Sequence, residues 1–152
     1  MQKQLLTAGL ALVLAGGYTI SAFAQAKPDV LVKQRQSVMT LQGKYFSPLG
    51  LMAAGKLPYN AEVAARNAAF LDALSQMPWD GFTADTKGEK SRAMPEIYSN
   101  ASGFKTAQDS YRAAVGKLVA ATKGGGEAAV KAAIGDVNSN GCGSCHKQFR
   151  SQ

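Results

Sequence analysis

The chain has 152 residues, 46% of them hydrophobic, enough for one packed core and short of two. Its formal net charge is +7, yet the basic residues are scattered from Lys27 to Arg150 without a run or an aromatic-basic stripe. That distribution excludes a nucleic-acid surface and leaves an acidic redox partner or a plainly soluble basic surface.

The N-terminus comes first in chain order. Lys3, the apolar run Leu5 to Ala15 and the small-x-small triplet Ala22-Phe23-Ala24 read as a secretory signal peptide over residues 1–24, with the mature domain over 25–152. Gly16, Gly17, Tyr18 and Thr19 break the apolar run before it reaches the ~20 residues of a membrane span. Cleavage rather than anchoring is therefore expected. No later stretch approaches a span, so the mature chain is expected outside the cytoplasm, in a bacterial periplasm.

Past the signal, apolar residues recur with helical spacing, and no stretch alternates as a strand. The first helix starts near Pro28 and Asp29, with Leu31, Val38, Tyr45 and Met52 seven apart on one seam and Pro48 as its kink or end. Leu41, Leu49 and Leu51 lie off that seam and offer a surface to a partner helix. Asn60 caps a second helix whose stripe is Val63, Asn67, Phe70 and Leu74, stopped at Met77-Pro78. A long connection runs from Trp79 to Pro95, of a length that implies a function or mobility. Glu96, after Pro95, reads as a first-turn acid. The third helix, from about Ala101 to Thr122, repeats Phe104, Tyr111 and Leu118 at seven and ends at Gly124-Gly125-Gly126. A fourth, from Glu127 to about Arg150, turns Val130, Ile134 and Val137 inward. The class is all-α, an antiparallel four-helix bundle.

The chemistry sits in Cys142-Gly143-Ser144-Cys145-His146. Residues three apart share a helical face, so both sulfurs meet two vinyl groups on one porphyrin edge while His146 reaches the iron: a c-type haem attachment site. Such attachment requires export, which the signal peptide supplies independently. A disulfide between the cysteines belongs to a βαβ redox fold that is absent here, and a structural zinc needs four ligands where the chain has two Cys and one His. Because His146 is the only histidine, a bis-histidine haem is impossible within the chain. The sixth position is left to Met, Lys, water, a gas or nothing, and Met39 is the best placed methionine.

Together with this motif in the last helix, Arg35-Gln36 ahead of Met39, Pro78-Trp79 with Phe82, and Pro95-Glu96-Ile97-Tyr98 resemble the class II c-type cytochromes, and among them the cytochrome c′ family. The likeness spans the mature chain and is weakest from Thr83 to Ser91. It implies one covalent haem c at one end of a homodimeric bundle, a five-coordinate high-spin iron, and binding of NO and CO. It also implies that Arg35 and Gln36 sit at the propionates, that Trp79, Phe82, Phe104 and Tyr111 line the haem pocket, and that Arg150 lies beside its proximal side. From the residues alone, Gln36 reads equally as a solvated face, the aromatics as core packing, and Arg150 as a charge at a helix C-terminus. Two functional classes remain, a carrier that transfers electrons or sequesters NO and a haem enzyme such as a peroxidase. Peroxide cleavage calls for a distal acid-base group, and the only histidine is already used, so a non-enzymatic carrier is the expectation. Met39 then acts as a soft lid over the iron or, in a low-spin electron carrier, as its sixth ligand.

Overall fold

The computed structural model describes residues 26–152, so the expected signal segment at 1–24 lies outside the described residues. Four helical rods form the bundle. Helix α1 runs over Pro28–Ala53 and α2 over Ala61–Ser75. A short α3 at Glu96–Ser99 precedes α4 at Ala101–Gly124. The last rod is α5 at Glu127–Asp136, a π-helical stretch at Val137–Gly143 and α6 at Ser144–Phe149. Helix α1 packs on α2 and α5, and α4 packs on α2, α5 and the π-helical stretch.

Local chemistry accounts for the ends. Pro28 and Asp29 occupy the first turn of α1, where a missing N–H and a negative charge are both favourable. Gly55, at φ 68°, stops it in a Schellman motif: Lys56 N donates to Leu51 O at 2.9 Å and Gly55 N to Met52 O at 3.1 Å. The Asn60 side chain caps α2 by accepting from Val63 N at 2.9 Å. Asn100 both ends α3 and caps α4, accepting from Gly103 N at 3.1 Å. Glu96 thus opens a separate four-residue helix rather than the long one.

Pro48 does not end α1, which continues through Leu49 and Met52 to Ala53. A proline inside a helix costs about 3 kcal/mol, whereas full burial of one large apolar side chain contributes roughly 1.5–3. Leu49 is 0% exposed and Met52 4%, so packing beyond the proline outweighs its cost. Leu49 is therefore core and not partner surface, whereas Leu41, at 40% exposed, and Leu51, at 38%, do face outward.

The buried lines of α1 and α2 differ from the expected ones. Of Leu31, Val38, Tyr45 and Met52 only Met52 is buried; the innermost heptad line is Arg35, Gln42 and Leu49. Two polar residues hold it because each finds a buried acceptor: Arg35 on Gly81 O and Gln42 on Leu74 O. On α2 Asn67 and Leu74 of the expected stripe are buried, but Leu71 takes the inner place expected of Phe70, which is 41% exposed and lies tilted against Tyr45 with ring centroids 4.7 Å apart. The core between the rods centres on Leu49, Leu71, Val115, Leu118, Val130 and Ile134.

Candidate haem site

One end of the bundle holds a cavity of about 740 Å³, within the ~300–1,000 Å³ of small-molecule and cofactor sites. All eleven residues named from the sequence line it: Arg35, Gln36, Met39, Trp79, Phe82, Phe104, Tyr111, Cys142, Cys145, His146 and Arg150. They come from α1, the connection after α2, α4 and the last rod.

The aromatic wall has its own internal order. Trp79 Nε1 donates to Ser75 O at 2.6 Å, which pins the indole to the end of α2. Its ring lies 6.3 Å from Phe82, 6.0 Å from Phe104 and 6.4 Å from Tyr111. Phe104 then meets Phe82 at 5.0 Å and Phe149 at 5.2 Å, both edge-to-face. Core packing and pocket lining are thus one arrangement: the rings hold each other and still present a surface to the cavity.

Arg35, 3% exposed, organises the connection. Its guanidinium donates to Gly81 O at 2.7 Å, Thr86 Oγ1 at 3.1 Å and Ser91 Oγ at 3.1 Å, and lies 4.3 Å over the Phe82 ring. A carbonyl, two hydroxyls and a π face together stabilise a charge that would be costly to bury alone. The Trp79–Pro95 connection folds on this hub through 3-10 turns at Trp79–Gly81 and Ala84–Thr86. Gly81 packs so closely that an added Cβ would lie 3.1 Å from Leu31 O.

The attachment motif does not sit on an uninterrupted α-helix. The last rod loosens into a π-helical stretch at Val137–Gly143, where Ser144 N reaches back to Ser139 O, and Cys142 lies within it while Cys145 and His146 lie in α6. Gly141 passes the Tyr111 ring so closely that a Cβ would be 3.1 Å from Cδ2. Helix α6 ends at Phe149, and Arg150 leaves it in extended conformation to pair antiparallel with Ala93. Met94 N donates to Phe149 O at 3.0 Å and Ser151 N to Arg92 O at 2.9 Å, tying the connection to the rod's end. Arg150 therefore reaches the cavity from an extended residue just past α6 and not from within the expected fourth helix.

Cys142 and Cys145 form no disulfide, and both lie half-buried on the cavity. Burial, and then the neighbouring Cys145, pushes the Cys142 thiol up to about 11; burial raises Cys145 as well. Partial burial, then Arg150 and Arg92, hold the His146 imidazole below the usual histidine value. A neutral imidazole is the form that ligates a metal. Among the described residues no group of three or more His, Cys, Asp or Glu is placed to hold a bare metal ion. Two thiols and one imidazole on a largely aromatic and aliphatic cavity instead match a planar cofactor held by two covalent bonds and one axial nitrogen.

The sequence reading missed Gln42, Phe149 and Gly141, all on the cavity. Gln42 carried a signal, lying seven residues after Arg35, and Gly141 another, since a glycine inside a helix costs about 1 kcal/mol without a packing reason. No described helix is long and apolar enough to cross a membrane.

Residues 30–150 match the family model described as cytochrome c′. The cytochrome c′ of Rubrivivax gelatinosus is 42% identical over 125 residues, covering 82% of this chain and 96% of that protein. Its crystal structure superposes with a TM-score of 0.77 over 82% of this chain and 98% of the other. A nitric oxide complex of a mutant cytochrome c prime from Alcaligenes xylosoxidans, 37% identical, gives a TM-score of 0.76 over 84% of this chain and 98% of that one.

Proposed function

The chain belongs to the cytochrome c′ family, and from that premise we propose that it is a periplasmic mono-haem cytochrome whose five-coordinate iron transfers electrons and binds NO and CO. Like the family, it carries haem c bonded through Cys142 and Cys145. When bound, that group supplies a one-electron iron couple and a coordination position for a small ligand. The observation that carries the proposal is that both thiols, the single imidazole and the aromatic wall line one cavity.

In this reading residues 1–24 direct export and are removed, and 25–152 form the haem domain. His146 is the axial ligand. Gln36 and the Arg35 hub face the propionate edge, while Trp79, Phe82, Phe104 and Tyr111 exclude water from the ring. Arg150 lies beside His146, where its charge disfavours the imidazolium. A carrier role follows from the α1 wall, whose lining residues Arg35, Gln36, Met39, Thr40, Gln42, Gly43 and Phe46 include no His, Asp, Glu or Cys to serve as a distal acid-base group. Two protomers pair through α1 and α2, where Leu41, Leu51 and Phe70 are exposed.

Met39 supports a second arrangement, because it lines the same cavity as His146. A thioether ligand would make a six-coordinate, low-spin electron carrier with a raised potential. Absorption spectra of the reduced protein with and without NO or CO decide between them. The proposal expects a high-spin ferrous spectrum that either gas converts; sharp low-spin bands unmoved by both would overturn it. Protein matured in a periplasm should begin at Gln25 and keep one haem through acid-acetone extraction.

A further inference from the structure

The cavity contains a buried polar side chain whose bonding capacity the protein uses only in part. Gln42 is 9% exposed and lines the cavity three residues after Met39, about one helical turn along the same wall of α1. Its Nε2 donates to Leu74 O at 2.9 Å. That carbonyl lies in the last turn of α2, so Gln42 ties α1 to a helix end. The bond also orients the amide, since only its NH₂ can meet a carbonyl oxygen.

A side-chain amide offers two donors and two acceptor lone pairs. Among the described residues Leu74 O is the partner found. Yet neither amide atom of Gln42 belongs to the fully enclosed, unpaired atoms, which among the described residues are Thr83 Oγ1 and Arg112 Nε. Gln42 lines the cavity together with Met39, Phe46, Leu71 and Trp79, which is where an occupant can meet that unused capacity. A buried amide facing apolar atoms alone is penalised by about 1–3 kcal/mol, so this wall favours an occupant that hydrogen-bonds.

We propose that Gln42 determines which small ligand the pocket prefers. Anchored on Leu74, its amide holds an ordered water beside Met39 in the resting protein and hydrogen-bonds a diatomic ligand whose outer atom carries charge. CO, a weak acceptor, displaces that water without replacing its bond and is disfavoured. This rests on the reading that the iron takes small ligands.

The test uses haem-loaded Gln42→Met, an apolar side chain of similar length, with CO as the probe. Losing one ordinary hydrogen bond should speed CO association roughly threefold to tenfold, and the C–O stretching band should move because a dipole has left its surroundings. A purely structural role would lower the melting temperature and leave the band in place, which would overturn the proposal. If the variant does not fold, the N–O stretching band of the wild-type ferrous NO complex, the ligand expected to accept the bond, recorded in H₂O and D₂O decides instead. A band that shifts on exchanging the amide and water protons supports the role, and one that does not removes it. A wild-type protein that keeps its haem but gives no CO complex overturns the ligand-binding reading as well, whereas a CO complex indifferent to Gln42 overturns this inference alone.

Discussion

The Arg35 guanidinium donates a 2.7 Å hydrogen bond to the carbonyl of Gly81, 46 positions further along the chain. With its bonds to Thr86 and Ser91 it makes one α1 side chain the anchor of the whole connection. Arg35→Ala removes three hydrogen bonds and should destabilise the haem-loaded protein by about 2–4 kcal/mol in guanidinium unfolding. Arg35→Lys should recover little, because a compact ammonium does not span the partners of a planar fork. An unfolding midpoint unchanged in the alanine variant would show that the connection folds without the hub.

Tyr111 gives the fold an alkaline limit. Burial, with a smaller effect from Cys142, pushes its phenol far above the ordinary 10.0. The folded state thus holds this proton more tightly than the unfolded state. Its stabilisation is complete below the unfolded value near pH 10 and is lost as pH rises above it, by up to about 1.4 kcal/mol per pH unit. Haem attachment turns Cys142 into an uncharged thioether, so the burial effect is the one that persists. Ultraviolet titration should find a phenol that ionises well above the ordinary value. Tyr111→Phe should remove that late step and flatten the alkaline loss of stability. A titration without such a late step would contradict it.

Met39 tests the coordination of the iron. If its thioether only packs over the ring, Met39→Ala leaves the ferrous spectrum high-spin and quickens CO binding, since a flexible side chain no longer has to be displaced. Stopped-flow mixing with CO measures both. Low-spin bands that vanish on the substitution would identify the sulfur as a ligand instead.

The proposed dimer rests on apolar surface that α1 and α2 leave uncovered, at Leu41, Leu51 and Phe70. Sedimentation at tens of micromolar should report a two-fold dimer, and Leu41→Glu, which places a charge on a side chain 40% exposed, should shift it to monomer without altering the haem spectrum. A wild-type protein that is monomeric at that concentration would end the dimer proposal.

What could be read without the fold shares one property: its physics is local. Cys142, Cys145 and His146 announce their chemistry because attachment requires that spacing within two turns of helix. Asn60 and the Gly124-Gly125-Gly126 run announce helix ends because caps act on neighbouring N–H and C=O groups. Helix phase was less legible. Choosing Phe70 over Leu71 on α2 is an error of one residue, or about 100° of rotation, between two equally apolar side chains.

The inner line of α1 required the tertiary structure. Arg35 and Gln42 look like solvent-facing residues until Gly81 O and Leu74 O, 46 and 32 positions away, provide acceptors that make their burial favourable. The π-helical stretch has the same origin: the last rod must bring Gly141 past the Tyr111 ring of another helix while keeping both sulfurs on the cavity. Such contacts join residues distant in sequence, and only the closed bundle decides which of them meet.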